Sequence, residues 1–189
     1  IPLRLVGSEM CIRDRYITLL DLDCGRHQGG WGRVSYAAKQ LNKFRPDAIK
    51  GEDIEDIPAW NENCDFPQFD DTRLLTVLEA HGLFFSYPLD LDLMLLEAYP
   101  YAYHVTTMTP EEATKEAVLG KARANVDRFD DDYLQLFDEY MRQFKRGSKP
   151  ASHIAAMSEL TDEELLETLP GPLQRLVEAI QERLESIPE

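Results

Sequence analysis

Two stretches of the chain set paired aspartates where chemistry can be done. In "ITLLDLDCGRHQGGWGRV" (17–34) an apolar run ends in Asp21 and Asp23, and a turn containing glycines and arginines follows. Side chains i and i+2 of a strand point to the same face. Asp21 and Asp23 are therefore expected to present two carboxylates together at the carboxyl end of a strand, where open α/β sheets bind ligands. Two like charges at close range repel and favour a cation beside them, and oxygen ligands of this kind suit Mg²⁺ or Mn²⁺. The same pattern also fits a solvated strand end or aspartates that cap the next turn.

The second stretch is "FFSYPLDLD" (84–92), in which Ser86 ends an apolar run and Asp90 and Asp92 open the next element. On a helix, residues i and i+2 diverge by about 200°, so one carboxylate is expected in a site and the other at the cap. Asp92 is the preferred site residue and Asp90 the preferred N-cap; both also suit a helix dipole without further function. In "KRGSKPASH" (145–153) the acidic background is relieved, and Lys149 sits between a helix breaker and a helix start. A lysine there can stabilise charge on a phosphate, or stand solvated near a helix C-terminus. The turn "GRHQGGWGR" is neither a Walker motif nor a dinucleotide fingerprint. Its amides, with Arg26 and Arg33, could still approach a phosphate; His27 reads more simply as a solvated loop residue.

The elements that must position these residues follow from periodicity. "YITLLDLD" (16–23) suits a buried parallel strand. Val34, Ala37, Ala38 and Leu41 lie on one side of a helix over 32–44. Residues 45–70 read as a polar loop with Trp60 as an anchor, followed by a helix with an aspartate cap and a glycine stop at Gly82. A short strand over 83–87 and a helix ended by Pro100 come next. After residue 108 the signals are helical: 109–119, an amphipathic helix over 130–147, then 148–158, 160–171 and 172–187. Strand–helix–helix–strand–helix with a helical tail predicts part of an α/β sheet fold, since two strands are too few for a whole doubly wound sheet.

The chain has 189 residues and a formal charge of −15. That balance disfavours unaided grip on nucleic acid, because backbone binding normally needs a basic stripe. No apolar run approaches the roughly 20 residues of a membrane helix. The three cysteines are too scattered for a disulfide framework or zinc site, and a reducing cytoplasm is expected.

Residues 1–15, "IPLRLVGSEMCIRDR", resemble translated sequencing-adaptor sequence and are excluded from functional reasoning. They hold three arginines, one glutamate and one aspartate, a net of +1, so the remainder carries −16. The native protein is then expected to continue upstream. From Tyr16 on, "ITLLDLDCGRHQGGWGRVSYAAKQL", "GLFFSYPLDLDLMLLEAYP" and "SKPASH" resemble, in order, the Toprim portion of OLD-family (overcoming lysogenization defect) ATP-dependent endonucleases. The resemblance implies a Toprim α/β core over 16–108 that lacks its first strand, with a helical C-terminal part over 109–189. It also implies two-metal, Mg²⁺- or Mn²⁺-dependent cleavage of DNA phosphodiesters. Asp21 and Asp23 match the metal ligands of the family's DxD, Ser86 with Asp92 or Asp90 the later serine and acidic position, and Lys149 the family's lysine. The family's catalytic glutamate belongs on an upstream strand, where the adaptor-like segment stands, and Glu9 is not taken as its equivalent. ATP would act only through an N-terminal ATPase domain absent from this chain, and a homodimer is a family expectation for the intact protein. The chain alone is therefore expected to bind metal weakly and to cleave DNA poorly.

Two other functions remain open on the sequence. In a phosphatase of the haloacid dehalogenase type, Asp21 would be the nucleophile and Asp23 the general acid/base, with Ser86 and a lysine holding phosphate. Against this, Cys24–Gly25 replaces the usual continuation, and Asp70–Asp71 and Asp131–Asp132 do not end apolar strands. The second is a non-enzymatic acidic interaction module.

Overall fold

The computed structural model describes residues 16–46, 48–52, 73–120 and 129–185. The readings made on residues 1–15, Trp60 and Asp70–Asp71 lie outside them. Within the described residues the protein is mixed α/β and mostly helical, around a two-stranded parallel sheet. Strand β1 is Thr18–Asp21 and β2 is Leu83–Ser86, with Thr18 opposite Leu83 and Asp21 opposite Ser86. The register brings the carboxyl ends of both strands level. All four β2 residues are buried, whereas β1 is half-buried and exposed at Asp21.

Helix α1 (Trp31–Phe44) buries Val34, Ala37, Ala38 and Leu41, the face expected from spacing. Helix α2 (Arg73–Ala80) leads through Gly82 into β2. Helix α3 (Leu91–Ala98) opens on Asp90, whose side chain accepts from the Leu93 N–H, so the expected N-cap is present. Every later described element is helical: α4 (Glu112–Leu119), α5 (Asp131–Gln135), α6 (Phe137–Tyr140), α7 (Lys149–Ser158), α8 (Asp162–Glu167) and α9 (Gly171–Glu185). The core joins Leu22, Leu41, Phe85, Leu93, Phe137 and Tyr140. No described helix is long and apolar enough to cross a membrane.

Two expectations change. The strand expected over 16–23 stops at Asp21, and Asp23 lies beyond it with φ 56°. Its N–H donates to the Leu89 carbonyl (2.6 Å) and Cys24 to that of Pro88 (3.1 Å), so the chain turns along the β2–α3 loop. The turn also needs Gly29, where a Cβ would stand 1.8 Å from the Asp23 carbonyl oxygen. The single helix expected over 130–147 is instead α5, α6 and a π-helical turn, Met141–Lys145. It does end at Gly147, where a Cβ would meet the Gln143 carbonyl oxygen at 2.6 Å.

Candidate functional site

The site is built from the carboxyl end of the sheet. Ser86, fully buried, donates from Oγ to Asp21 Oδ1 (2.8 Å), and the Leu91 N–H donates to the same oxygen (3.3 Å). Asp21 thus stands exposed at the strand end with neutral donors only. Asp92, buried in the first turn of α3, pairs through Oδ2 with Lys149 Nζ at the start of α7 and through Oδ1 with His153 Nε2 (3.1 Å). Burial alone would pull the Lys149 ammonium down. Its bond to Asp92 and the charges of Asp92, Asp90 and Asp21 outweigh this and raise it above the ordinary lysine value. Asp21, Ser86, Asp92 and Lys149 therefore share one corner.

His153 is held from both sides. Its Nδ1 lies 2.6 Å from the Tyr103 hydroxyl, and its ring stacks on Phe144 with centroids 5.0 Å apart. Neutral His153 must carry its proton on Nε2 to donate to Asp92, which leaves Nδ1 to accept from Tyr103. Burial, then the Asp92 charge, pushes the Tyr103 phenol well above its usual value, so it keeps the proton it donates.

Asp23 and Asp90 go elsewhere. Arg26, on the turn after β1, donates from one nitrogen to Asp23 Oδ1 (2.6 Å) and Asp90 Oδ2 (3.0 Å). It also donates to the Val118 carbonyl (3.1 Å) and the Tyr140 hydroxyl (2.9 Å). Tyr140 donates in turn to Asp90 Oδ2 (2.6 Å), and Arg33 donates to Asp23 Oδ2 (2.5 Å). Asp23 and Asp90 are both buried. Burial, then Asp90, raises the Tyr140 phenol far above its usual value. The Arg26 guanidinium is turned inward as a staple between four segments, not outward to a phosphate. The amides of Arg26, Gly29, Gly30 and Gly32 donate to backbone carbonyls of the same turn and strand end. His27 is exposed on that turn.

Asp21 and Asp23 do not end the strand together as the i and i+2 spacing predicts: the strand stops at Asp21, and two arginines hold Asp23. Asp23 and Asp90 are bonded to guanidinium and Asp92 to ammonium, so a divalent ion at this corner would meet Asp21 among neutral donors and compete with Lys149 for Asp92. Sequence reasoning turned Arg26 toward a phosphate and gave no role to Tyr103, Tyr140 or His153. The signals at hand were an arginine in a glycine turn and a histidine four residues after Lys149.

Between β1 and α1 runs a groove of about 480 Å³ lined by Leu19, Leu20, Ala37, Leu41, Phe44 and Phe85 among others, with Asp21, Asp23 and Arg33 also on its wall. The Thr18 and Leu22 amides donate to the β2 side, to Gly82 (2.8 Å) and Ser86 (3.0 Å). Those of Leu19 and Asp21 therefore face the opposite edge of β1, which pairs with no strand among the described residues. No family model, no curated protein and no solved structure matches the chain.

Proposed function

We propose that the chain carries part of a phosphodiester-cleaving site of the Toprim type, as in OLD-family ATP-dependent endonucleases. The observation that supports this most is the meeting of Asp21, Ser86, Asp92 and Lys149 at the carboxyl ends of parallel strands. Those residues come from three separate stretches, each of which the resemblance singles out. In this reading Asp21 and Asp92 are the site carboxylates. Lys149, already poised beside them, would offset charge on a scissile phosphate. Asp23 and Asp90 hold the frame. DNA is the substrate, Mg²⁺ or Mn²⁺ the expected cofactor, and ATP the business of a separate ATPase domain. The outer edge of β1 is the place for the family's glutamate-bearing strand, beside the apolar groove.

A haloacid-dehalogenase-type phosphatase would share the strand-end aspartate, the serine on the neighbouring strand and the lysine. It also needs Asp23 as proton carrier, and Arg26 and Arg33 hold both oxygens of that carboxylate. The test of the preferred reading is Mn²⁺ titration of the isotope-labelled chain followed by paramagnetic broadening of NMR signals. Broadening is expected first around Asp21, Ser86 and Asp92, at weak affinity because Lys149 competes, and is lost in Asp21→Asn. Broadening spread evenly over the acidic surface would contradict the reading and favour an acidic interaction module.

A further inference from the structure

The corner described above is better supplied with positive charge than the chain as a whole. The segment "RQFKRGSK" (142–149) holds four basic residues and no acidic one, in a chain of net charge −15. Of the acids near it, Glu139 takes Arg142 and Gln143, Asp90 takes Arg26 and Tyr140, Asp92 takes Lys149 and His153, and Asp21 takes the neutral donors Ser86 and Leu91 N–H. Lys145 and Arg146 form no ion pair or side-chain hydrogen bond among the described residues.

Lys145 is not a freely waving surface lysine. It ends the π-helical turn Met141–Lys145, and its Nζ lies 5.4 Å from the centroid of the Tyr140 ring. That ring is fixed through its hydroxyl to Asp90 and Arg26. Burial first, then the charges of Arg26 and Lys149, pull the Lys145 ammonium below the ordinary lysine value, against the smaller opposing pull of Asp90 and Asp92. π-turns of this kind recur at functional sites. A second cation would deepen the repulsion, whereas an anion would relieve it.

We propose that Lys145, Arg146 and Lys149 form a seat for a phosphate of a nucleic-acid backbone, and that it takes this anion without a divalent cation. The identity of the anion as DNA rests on the phosphodiester reading; the seat itself rests on Lys145 and Arg146, which form no ion pair among the described residues, next to the Asp92-paired Lys149. Phosphate held there would lie beside Asp92 and Asp21, on the side where the site carboxylates meet. The basic stripe missing from the composition as a whole is thus supplied locally.

The experiment is fluorescence anisotropy of a short labelled DNA duplex with the full chain, in EDTA, over a range of salt. The variants are Lys145→Gln with Arg146→Gln, Lys145→Arg with Arg146→Lys, and a control, Lys39→Gln with Lys43→Gln, on exposed positions of α1. Thermal unfolding that matches the parent shows each variant to be folded. The parent is expected to bind in EDTA. The first variant should bind about tenfold more weakly, with a slope of log affinity on log salt shallower by about two. The charge-keeping variant and the control should each stay within about twofold. Binding that requires Mg²⁺ or Mn²⁺, an equal loss in the α1 control, or displacement by polyglutamate as effective as by unlabelled DNA would overturn the proposal. So would displacement by millimolar inorganic phosphate alone, which would mark a free-phosphate site. DNA binding in EDTA without localised Mn²⁺ broadening would sink the nuclease reading and leave the seat standing; the converse would sink only the seat.

Discussion

The two Asp-Leu-Asp pairs of this protein are divided in the same way. Asp21 and Asp92 go to the corner of Lys149, and Asp23 and Asp90 go to Arg26. The Arg26 hub closes buried carboxylates around a half-buried guanidinium: each guanidinium nitrogen has an acceptor, and Asp23 and Asp90 each have a second partner. The Lys149 corner is half-open, with Asp21 exposed and Lys149 47% exposed. Buried charges persist in a fold only when paired and hydrogen-bonded, so the hub is held by stability. In the corner that constraint falls on buried Asp92, whereas Asp21 and Lys149 are exposed and open to a ligand.

The sharpest way to break the comparison is to remove the hub's cation. Arg26→Met leaves Asp90 buried with only Tyr140 and its cap bond, and should cost about 3 kcal/mol in denaturant unfolding. Alkali attacks the hub next. The ordinary phenol value is 10.0, and both Tyr140 and Tyr103 are raised above it in the fold. The fold therefore binds the neutral phenol, and the stability this gives is complete below pH 10 and is lost as pH rises beyond it. Each tyrosine should cost about 1.4 kcal/mol per pH unit there. Tyrosinate absorbance and circular dichroism should show these two rings ionising together with unfolding. The smallest effects separate the two members of the pairs. Asp90→Asn keeps an N-cap but meets Arg26 and Tyr140 with a neutral amide, for a loss of about 2 kcal/mol. Asp21→Asn, exposed and still able to accept from Ser86, should stay within about 0.5 kcal/mol.

What was legible in the chain was local. The face of α1, the Asp90 cap, the Gly147 stop and the strand ends at Asp21 and Ser86 all follow from spacing and residue type within one element. The division of the pairs was not legible, because it depends on partners far along the chain. Arg26 reaches Asp90 across 64 positions and Tyr140 across 114, and His153 reaches Asp92 across 61. Asp23 leaves the strand because its N–H finds the Leu89 carbonyl, a bond that no local pattern announces. The π-turn escaped for a similar reason: an amphipathic stripe of 130–147 predicts a straight helix, and the turn widens where Tyr140 is tied to Asp90 and Arg26.

The division itself is tested most directly by two double-mutant cycles on unfolding free energy, Arg26 with Asp90 and Arg26 with Asp92, using Met and Asn replacements. The account predicts a coupling of about 2 kcal/mol for the first pair and less than about 0.5 kcal/mol for the second. Equal couplings, or a larger one to Asp92, would show that the two carboxylates of α3 are not divided between hub and corner.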